Sequence, residues 1–158
     1  MRSSPSGLEA PSGRHRSVTI RRARAGDADA LAYLLTELGY PSQPDQVGER
    51  LQRAFTGARS VVLVAEEDLR VVGLATVHIF SVLNRSRDVA WLTALVVDEA
   101  ARGRGIGRRL VEAVEAFARD SNCERLSVTT HEGRLDARAF YERIGLEATG
   151  RRFGKMLE

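Results

Sequence analysis

The chain of 158 residues has the length of one domain and is long enough to bury a single hydrophobic core. Its content of 43% hydrophobic and 28% charged residues is typical of a soluble globular protein and excludes a mostly disordered chain. The net charge is +3, but three arginines against one glutamate put +2 of it in residues 1–17, so the rest is close to neutral and no nucleic-acid-binding face is expected. Those seventeen residues, rich in Ser, Pro, Gly and Arg, are predicted to be a mobile tail before a folded domain at 18–158.

The chain contains a single cysteine, Cys123. An intrachain disulfide and a zinc site built from thiolates are therefore excluded, and the neighbours of Cys123 suggest no thiolate activation, so a structural or incidental role is expected. The sequence has no apolar run of transmembrane length and no signal-peptide core behind the N-terminal arginine. These features predict a cytoplasmic protein with no membrane partner.

The first part of the domain shows one strand and two helical patterns. An apolar–polar alternation at 18–23 predicts the first strand. Asp27 is predicted to cap a helix that ends at Gly39, and residues Asp45–Phe55 are predicted to form a second short helix.

The middle of the chain changes to the pattern of strands. Apolar, β-branched runs at 60–67, 71–80 and 89–98 predict three strands, with a hairpin turn at 66–70 between the first two. The third run is almost continuously apolar, as expected for a strand covered on both faces. Apolar residues then recur every three or four positions over 106–117, which predicts an amphipathic helix that begins near Gly105.

The end of the chain adds a strand at 125–131, a helix that stops at Gly145, and a last strand at Arg151–Leu157. The resulting order is β-α-α-β-β-β-α-β-α-β, with no internal repeat and no second domain. It predicts an α+β (layered α/β) fold with a mixed central sheet of about six to seven strands flanked by about four helices.

A loop rich in glycine and arginine connects the third long strand to the amphipathic helix. A helix N-terminus leaves its first N–H groups unpaired and carries about half a positive charge. Glycine removes the Cβ atoms that would keep a ligand away from this backbone. Four arginines add positive charge: Arg102, Arg104, Arg108 and Arg109. Together these features predict a seat for a phosphate or pyrophosphate group.

The spacing of the loop glycines disfavours two common phosphate ligands. The GxxxxGK[ST] pattern is absent, and the glycines run GxGxG where a dinucleotide loop has GxGxxG, which argues against nucleoside triphosphates and dinucleotides. Residues 102–107, RGRGIG, instead fit [RQ]-x-x-G-x-[GA]. Preceded by LTALVVDEAA and followed by DARAFYERIGLEATG, this loop resembles the coenzyme A pyrophosphate loop of the GNAT superfamily of N-acetyltransferases, and the resemblance covers residues 18–158.

The resemblance implies an enzyme that uses acetyl-CoA as co-substrate and no metal. It implies a fold in which two parallel central strands splay apart, the first at Trp91–Val97, with pantetheine between them. Backbone groups of Leu95, Val96 and Val97 would pair with the pantetheine amides, and an N–H near Leu95 would polarise the thioester carbonyl. The pyrophosphate would be held by Arg102, Gly103, Arg104, Gly105, Ile106, Gly107 and Arg108.

The resemblance also assigns one catalytic side chain. Tyr141 matches the tyrosine that protonates the departing thiolate in many family members, although its place beside Phe140 on a helix would also suit a core residue. The general base stays open, because residues 91–94 contain no carboxylate where relatives often have a glutamate; His78, His131 and a water chain are the alternatives. Arg134 stands where many relatives have a cofactor-binding asparagine, so no contact is assigned to it.

The acceptor site in this family is lined by loops that correspond here to 36–49, 80–88 and 150–158. Three acidic residues of the first loop could meet a cationic amine: Glu37, Asp45 and Glu49. Four arginines accompany them in sequence, namely Arg85, Arg87, Arg151 and Arg152, which favours a solvated face of mixed charge. A small amine, an amino acid or a peptide N-terminus therefore stays open as acceptor.

The leading interpretation is an N-acetyltransferase in which the amine of a small molecule or peptide attacks acetyl-CoA directly. The alternative is a catalytically silent acyl-CoA-binding module with a regulatory role. Both use the arginine-rich loop, and the presence of Tyr141 favours the enzyme. A nucleic-acid binder would need a more basic domain. Dimers are common in the family, so a homodimer is compatible with the resemblance.

Overall fold

The computed structural model describes residues 16–130 and 133–157. In this part of the chain five strands form one sheet in sequence order, and four helices of at least nine residues cover it. The strands are β1 (Val18–Arg22), β2 (Ser60–Glu67), β3 (Arg70–Phe80), β4 (Asp88–Val97) and β5 (Cys123–Val128). The helices are α1 (Ala28–Glu37), α2 (Pro44–Ala54), α3 (Ile106–Asp120) and α4 (Leu135–Arg143).

The sheet is mixed and has helices on both faces, as predicted. β1 to β4 pair antiparallel with their neighbours, whereas β4 and β5 are parallel. α3 packs Leu110 and Val114 into the core of one face, and Phe140 and Tyr141 of α4 join the edge of that core. Leu34 belongs to the second core, which α1 and α2 cover on the opposite face. β4 thus lies between two apolar layers, which is why its sequence is nearly all apolar.

Local sequence signals explain most element boundaries. α1 ends just before Gly39, whose φ of +105° is a conformation that glycine adopts readily. α2 begins at Pro44, where a missing backbone N–H does no harm. Asp68 and Leu69 connect β2 and β3 with φ angles of 48° and 65°, as a two-residue hairpin turn requires.

Asp27 occupies the N-cap position of α1, as predicted, but its carboxylate accepts no hydrogen bond from the first turn of that helix. It accepts hydrogen bonds from the backbone N–H of Arg24 at 2.7 Å and from the guanidinium of Arg21 at 2.8 Å. Arg21 also pairs with Glu66 of β2 at 2.5 Å. The Arg21 guanidinium, with some help from the Arg24 N–H, lowers the pKa of Asp27. This charged cluster therefore ties β1 and β2 to the start of α1.

The prediction of a last strand at Arg151–Leu157 is wrong for the described residues. This segment pairs with no strand of the described sheet, and Phe153, Met156 and Leu157 are 91%, 90% and 87% exposed. Their spacing of three and one positions gives no alternating apolar face, so pairing at the sheet edge would bury little. The sheet accordingly has five described strands where six to seven were expected. Of the predicted tail, residues 1–15 lie outside the described residues.

Candidate functional site

β4 extends beyond the end of its parallel partner, β5. β5 pairs with β4 from Asp88 to Leu92, where Leu92 lies opposite Val128. Within the described residues, the remaining part of β4, from Thr93 to Val97, pairs only with β3. In this half of β4, the side towards β5 is therefore an open backbone edge within the described residues.

A bulge begins this open edge and sets which backbone groups it presents. Thr93 has no opposite residue in β3, because Val77 pairs with Leu92 and Thr76 with Ala94. Beyond the bulge, the N–H of Asp98 donates to the carbonyl of Val72 at 2.8 Å, on the β3 side.

Backbone direction alternates along a strand, so the groups of Val96 also point to β3, whereas those of Leu95 and Val97 point to the open edge. The Arg102 guanidinium confirms this direction, since its Nε donates to the carbonyl of Val97 at 2.9 Å. Of the three residues predicted to pair with pantetheine, Leu95 and Val97 have the required orientation. Val96 lies opposite Leu74 in the β3–β4 ladder.

The glycine-rich loop leads from the end of β4 into α3. Gly103 and Gly105 have φ angles of 74° and 77°, and a Cβ added to either would meet nothing within 4 Å. The first hydrogen bond inside α3 runs from Arg109 to Gly105 at 3.1 Å. The N–H groups of Ile106, Gly107 and Arg108 precede it, so the helix supplies them with no acceptor. Bare backbone, free donors and the positive helix end thus meet beside the open edge of β4.

The arginines of the loop, all predicted to hold the pyrophosphate, make different contacts in the structure. Arg104 forms two hydrogen bonds to the carboxylate of Glu67, a nearly buried residue at the end of β2. This contact lowers the pKa of Glu67 and raises that of Arg104. Arg108 lies on the exposed side of α3 with its Nε 3.3 Å from Glu112. Arg102 and Arg104 therefore anchor the loop to two strands, and Glu67 is a site residue that no local motif indicates.

Tyr141 lies on α4, which packs over the start of α3. A Cβ at Gly107 would be 3.4 Å from the Phe140 ring and 3.7 Å from Val97, so this glycine allows the close approach of α4. The Tyr141 ring is half-buried, and burial raises the pKa of its hydroxyl, while the charge of Arg134 partly opposes the rise. Tyr141 is therefore a protonated phenol at neutral pH, and its neighbour Phe140 approaches Gly107 of the glycine-rich loop.

Of the two histidines considered as general bases, His78 lies on β3 within the described residues. His78 bonds through Nδ1 to the Ser60 hydroxyl at 2.8 Å, and its ring centroid lies 4.8 Å from that of Phe55. Burial lowers its pKa. These contacts hold the imidazole of His78 between Ser60 and Phe55. His131 lies outside the described residues. Burial also raises the pKa of the Cys123 thiol, in keeping with a structural role.

Two of the segments expected to line the acceptor site, the C-terminal segment and the loop before β4, differ in what they contact. The guanidinium of Arg152 lies 6.0 Å from the ring centroid of Trp91, which brings the C-terminal segment onto the strand beside the bulge. Arg85 instead pairs with Glu124 at 2.9 Å. Thr93 and Thr76 share a hydrogen bond of 2.6 Å between their hydroxyls. This surface is polar and mixed in charge, and it borders the open edge.

Of the three acidic residues expected near the acceptor, Asp45 and Glu49 are exposed. Glu37, the last residue of α1, differs from them because it is half-buried. Its Oε1 accepts a hydrogen bond from the Tyr33 hydroxyl at 3.1 Å. The solvated face predicted from the sequence therefore does not extend to Glu37.

Comparison with known proteins identifies the family. The model of the acetyltransferase (GNAT) family matches residues 28–146. The chain belongs to this family. It is thus an acyltransferase whose family moves acetyl groups from acetyl-CoA to amines.

Individual relatives agree over most of the chain. An aminoglycoside N(6')-acetyltransferase of Stenotrophomonas maltophilia is 32% identical over 84% of this chain and 88% of its own length. An aminoalkylphosphonate N-acetyltransferase of Salmonella typhimurium is 29% identical over 87% of this chain and 90% of its own. The crystal structure of an aminoglycoside N-acetyltransferase in complex with CoA has a TM-score of 0.82 at 19% identity, covering 92% of this chain and 98% of that one, and shows that the GNAT fold is shared.

Two further features of this GNAT protein concern the residues that the structure describes. None of its helices there has both the length and the apolar character that crossing a bilayer requires. That same part of the chain contains no group of three His, Cys, Asp or Glu side chains arranged to hold a metal ion.

Proposed function

We propose that residues 18–158 form an N-acetyltransferase domain in which a primary amine of a small molecule or peptide attacks the thioester of acetyl-CoA directly. One observation carries this proposal: the open backbone edge of β4 leads straight into the free N–H groups at the start of α3. An extended ligand could pair its amides with the open edge of β4 and place its pyrophosphate against the N–H groups at the start of α3.

The loop residues fit the pyrophosphate of coenzyme A. Gly103 and Gly105 leave open space above the backbone, and the N–H groups of Ile106, Gly107 and Arg108 are available as donors. Of the predicted arginines, Arg108 has its charge in solvent and can approach a phosphate. Arg102 and Arg104 hold the loop in place through Val97 and Glu67. Bound there, acetyl-CoA supplies an activated acetyl group as its thioester.

The chemistry takes place further along β4. The N–H of Leu95 points to the open edge and can donate to the thioester oxygen as negative charge develops there. The Tyr141 hydroxyl, kept protonated by its raised pKa, can give a proton to the departing sulfur. Val96 contributes its side chain to the second core and its backbone to the sheet, which keeps Leu95 and Val97 in position.

The acceptor is expected to bind beside the bulge, between α1, Trp91 and the C-terminal segment. The mixed charge of this surface suits a small amine better than a long polycation. The names of the relatives suggest the first compounds to try, an aminoglycoside and an aminoalkylphosphonate, together with amino acids and peptides that have a free N-terminus.

The test is release of free thiol from acetyl-CoA across this panel of amines. We expect turnover of at least one amine. Tyr141→Phe is expected to lower kcat by about 10²- to 10⁴-fold, the usual contribution of one acid catalyst, and to leave the affinity for coenzyme A unchanged.

Leu69→Ala is the control for a substitution away from the site, because Leu69 is 91% exposed in the turn between β2 and β3. It should retain the wild-type kcat. Coenzyme A binding without turnover of any amine would instead support a silent acyl-CoA-binding module. Full activity of Tyr141→Phe would remove Tyr141 from the mechanism.

A further inference from the structure

We propose that Glu67 is a positioning residue for coenzyme A: it holds Arg104, and through Arg104 the loop backbone that receives the pyrophosphate. The inference rests on the proposed function and adds a determinant of coenzyme A affinity that does not touch the ligand. It also removes Arg104 from the phosphate ligands that the resemblance implies, because the guanidinium of Arg104 is bound to Glu67.

The first observation is that Glu67 is a buried carboxylate whose two oxygens are both bound by one arginine. Glu67 is 5% exposed at the end of β2, and Asp27 is the only other buried charged residue in the described part of the chain. Arg104 donates to it from Nη1 at 3.2 Å from Oε2 and from Nη2 to Oε1. Replacing a buried ion pair by apolar side chains is often neutral or stabilising. The pair is therefore better explained by the conformation that it fixes than by a gain in stability.

The second observation is that the loop around Arg104 has little packing of its own. Arg104 lies between Gly103 and Gly105, which have positive φ angles, and a Cβ added to either glycine would meet nothing within 4 Å. Glycine restricts its own backbone less than other residues do. Two side-chain contacts tie the loop to the sheet, that of Arg102 to β4 and that of Arg104 to Glu67. Without the second contact, the glycines can adopt other backbone conformations.

The order of this loop matters for the proposed ligand. Gly105 turns the chain into α3, directly before the N–H groups of Ile106, Gly107 and Arg108. These donors bind one pyrophosphate only when the loop before them leaves their approach open. A loop that is already ordered loses little further conformational entropy when the ligand binds. Glu67 is therefore expected to increase the affinity for coenzyme A.

The charges of the pair give the opposite hypothesis a different sign. Removal of the Glu67 carboxylate makes the loop more positive, because Arg16 lies 3.7 Å from that carboxylate in addition to Arg104. If Glu67 only withheld Arg104 from the phosphates, its removal would tighten binding of coenzyme A. If Glu67 positions the loop, its removal weakens binding. We expect weaker binding, because solvent and salt screen the added charge of these partly exposed arginines.

The experiment measures the Kd of coenzyme A by calorimetry for wild type, Glu67→Gln and Arg104→Gln. Glutamine keeps the shape of the Glu67 side chain but removes its charge and one of the two acceptor oxygens. We expect each substitution to raise Kd by about 5- to 30-fold, which corresponds to one more backbone residue that is ordered at binding. The double variant should raise Kd no further, because the two residues act as a unit. Arg104→Lys keeps the charge without the planar guanidinium and should show a smaller rise.

Steady-state kinetics separates positioning from a general structural effect. The KM for acetyl-CoA should rise with Kd, whereas kcat at saturating acetyl-CoA and the KM of the amine should stay within about 2-fold of wild type. Asp68→Asn is the matched control: Asp68 is the next carboxylate along the chain, its side chain is 70% exposed, and asparagine tolerates its φ of 48°. This variant should keep the wild-type Tm and both KM values.

The outcomes distinguish this inference from the proposed function. Unchanged or tighter binding of coenzyme A to Glu67→Gln would overturn the inference and leave the acetyltransferase intact. A lower kcat together with changes in both KM values and a lower Tm would make Glu67 a structural residue and would also overturn it. Wild-type protein that binds no coenzyme A would overturn the proposed function and the inference together.

Discussion

Gly105→Ala tests the geometry at the start of α3 directly. Gly105 has a φ of 77° and nothing within 4 Å of an added Cβ, so alanine creates backbone strain without a clash. A non-glycine residue in this conformation costs about 1–2 kcal/mol. For a chain of 158 residues that corresponds to a Tm lower by roughly 2–8 °C.

The same substitution should weaken binding of coenzyme A. Strain relief rotates the peptide that precedes α3, and the new methyl group projects into the space proposed for the pyrophosphate. Loss of one hydrogen bond to a charged group is worth about 1.5–3 kcal/mol, which predicts a dissociation constant raised by roughly 10- to 150-fold.

Gly39→Ala provides the matched control for calorimetry and thermal unfolding. Gly39 also has a positive φ, 105°, and open space around it, but it lies after α1 on the opposite face of the sheet. It should show a comparable drop in Tm with unchanged coenzyme A affinity. If Gly105→Ala binds coenzyme A as tightly as wild type, or if both variants lose affinity equally, the α3 start is not the pyrophosphate seat.

Two further predictions concern the framework of the site. Gly73→Ala would place a Cβ 3.1 Å from Leu110 and 3.3 Å from the carbonyl oxygen of Val96. The free energy of unfolding, measured by chemical denaturation, should therefore fall by about 1–3 kcal/mol. An unchanged free energy of unfolding would mean that α3 can move away freely. Asp27→Asn should cost about 3 kcal/mol at neutral pH, because it leaves the nearly buried Arg21 with Glu66 alone. The pKa of Asp27 is lowered in the folded state, so its carboxylate stabilises the fold at pH above its unfolded pKa of about 3.9, and this stabilisation is lost as the pH falls through the folded pKa. In a plot of unfolding free energy against pH, Asp27→Asn should therefore show a shallower decrease on the acid side than wild type. An unchanged decrease would contradict this role of Asp27.

Local sequence was enough to predict most of the elements and several of their boundaries. The turn before β3, the end of α1 at Gly39 and the start of α3 after Gly105 depend on backbone preferences of neighbouring residues, and the structure confirms all three. The resemblance to the GNAT family, based on residues 102–107 and the AFYERIG segment, is also confirmed. These signals are short-range, so they can be read without knowing what packs against them.

Long-range pairing decided the rest. No local pattern shows that the pairing of β4 with β5 ends at Leu92, that Thr93 is a bulge, or that the backbone of Leu95 faces the open edge, because strand register depends on partners far along the chain. For the same reason no local pattern shows that Arg104 pairs with Glu67, or that one oxygen of Glu37 is buried. The charge and type of each side chain are known from the sequence, but its burial and its interaction partners are determined only when distant segments pack together.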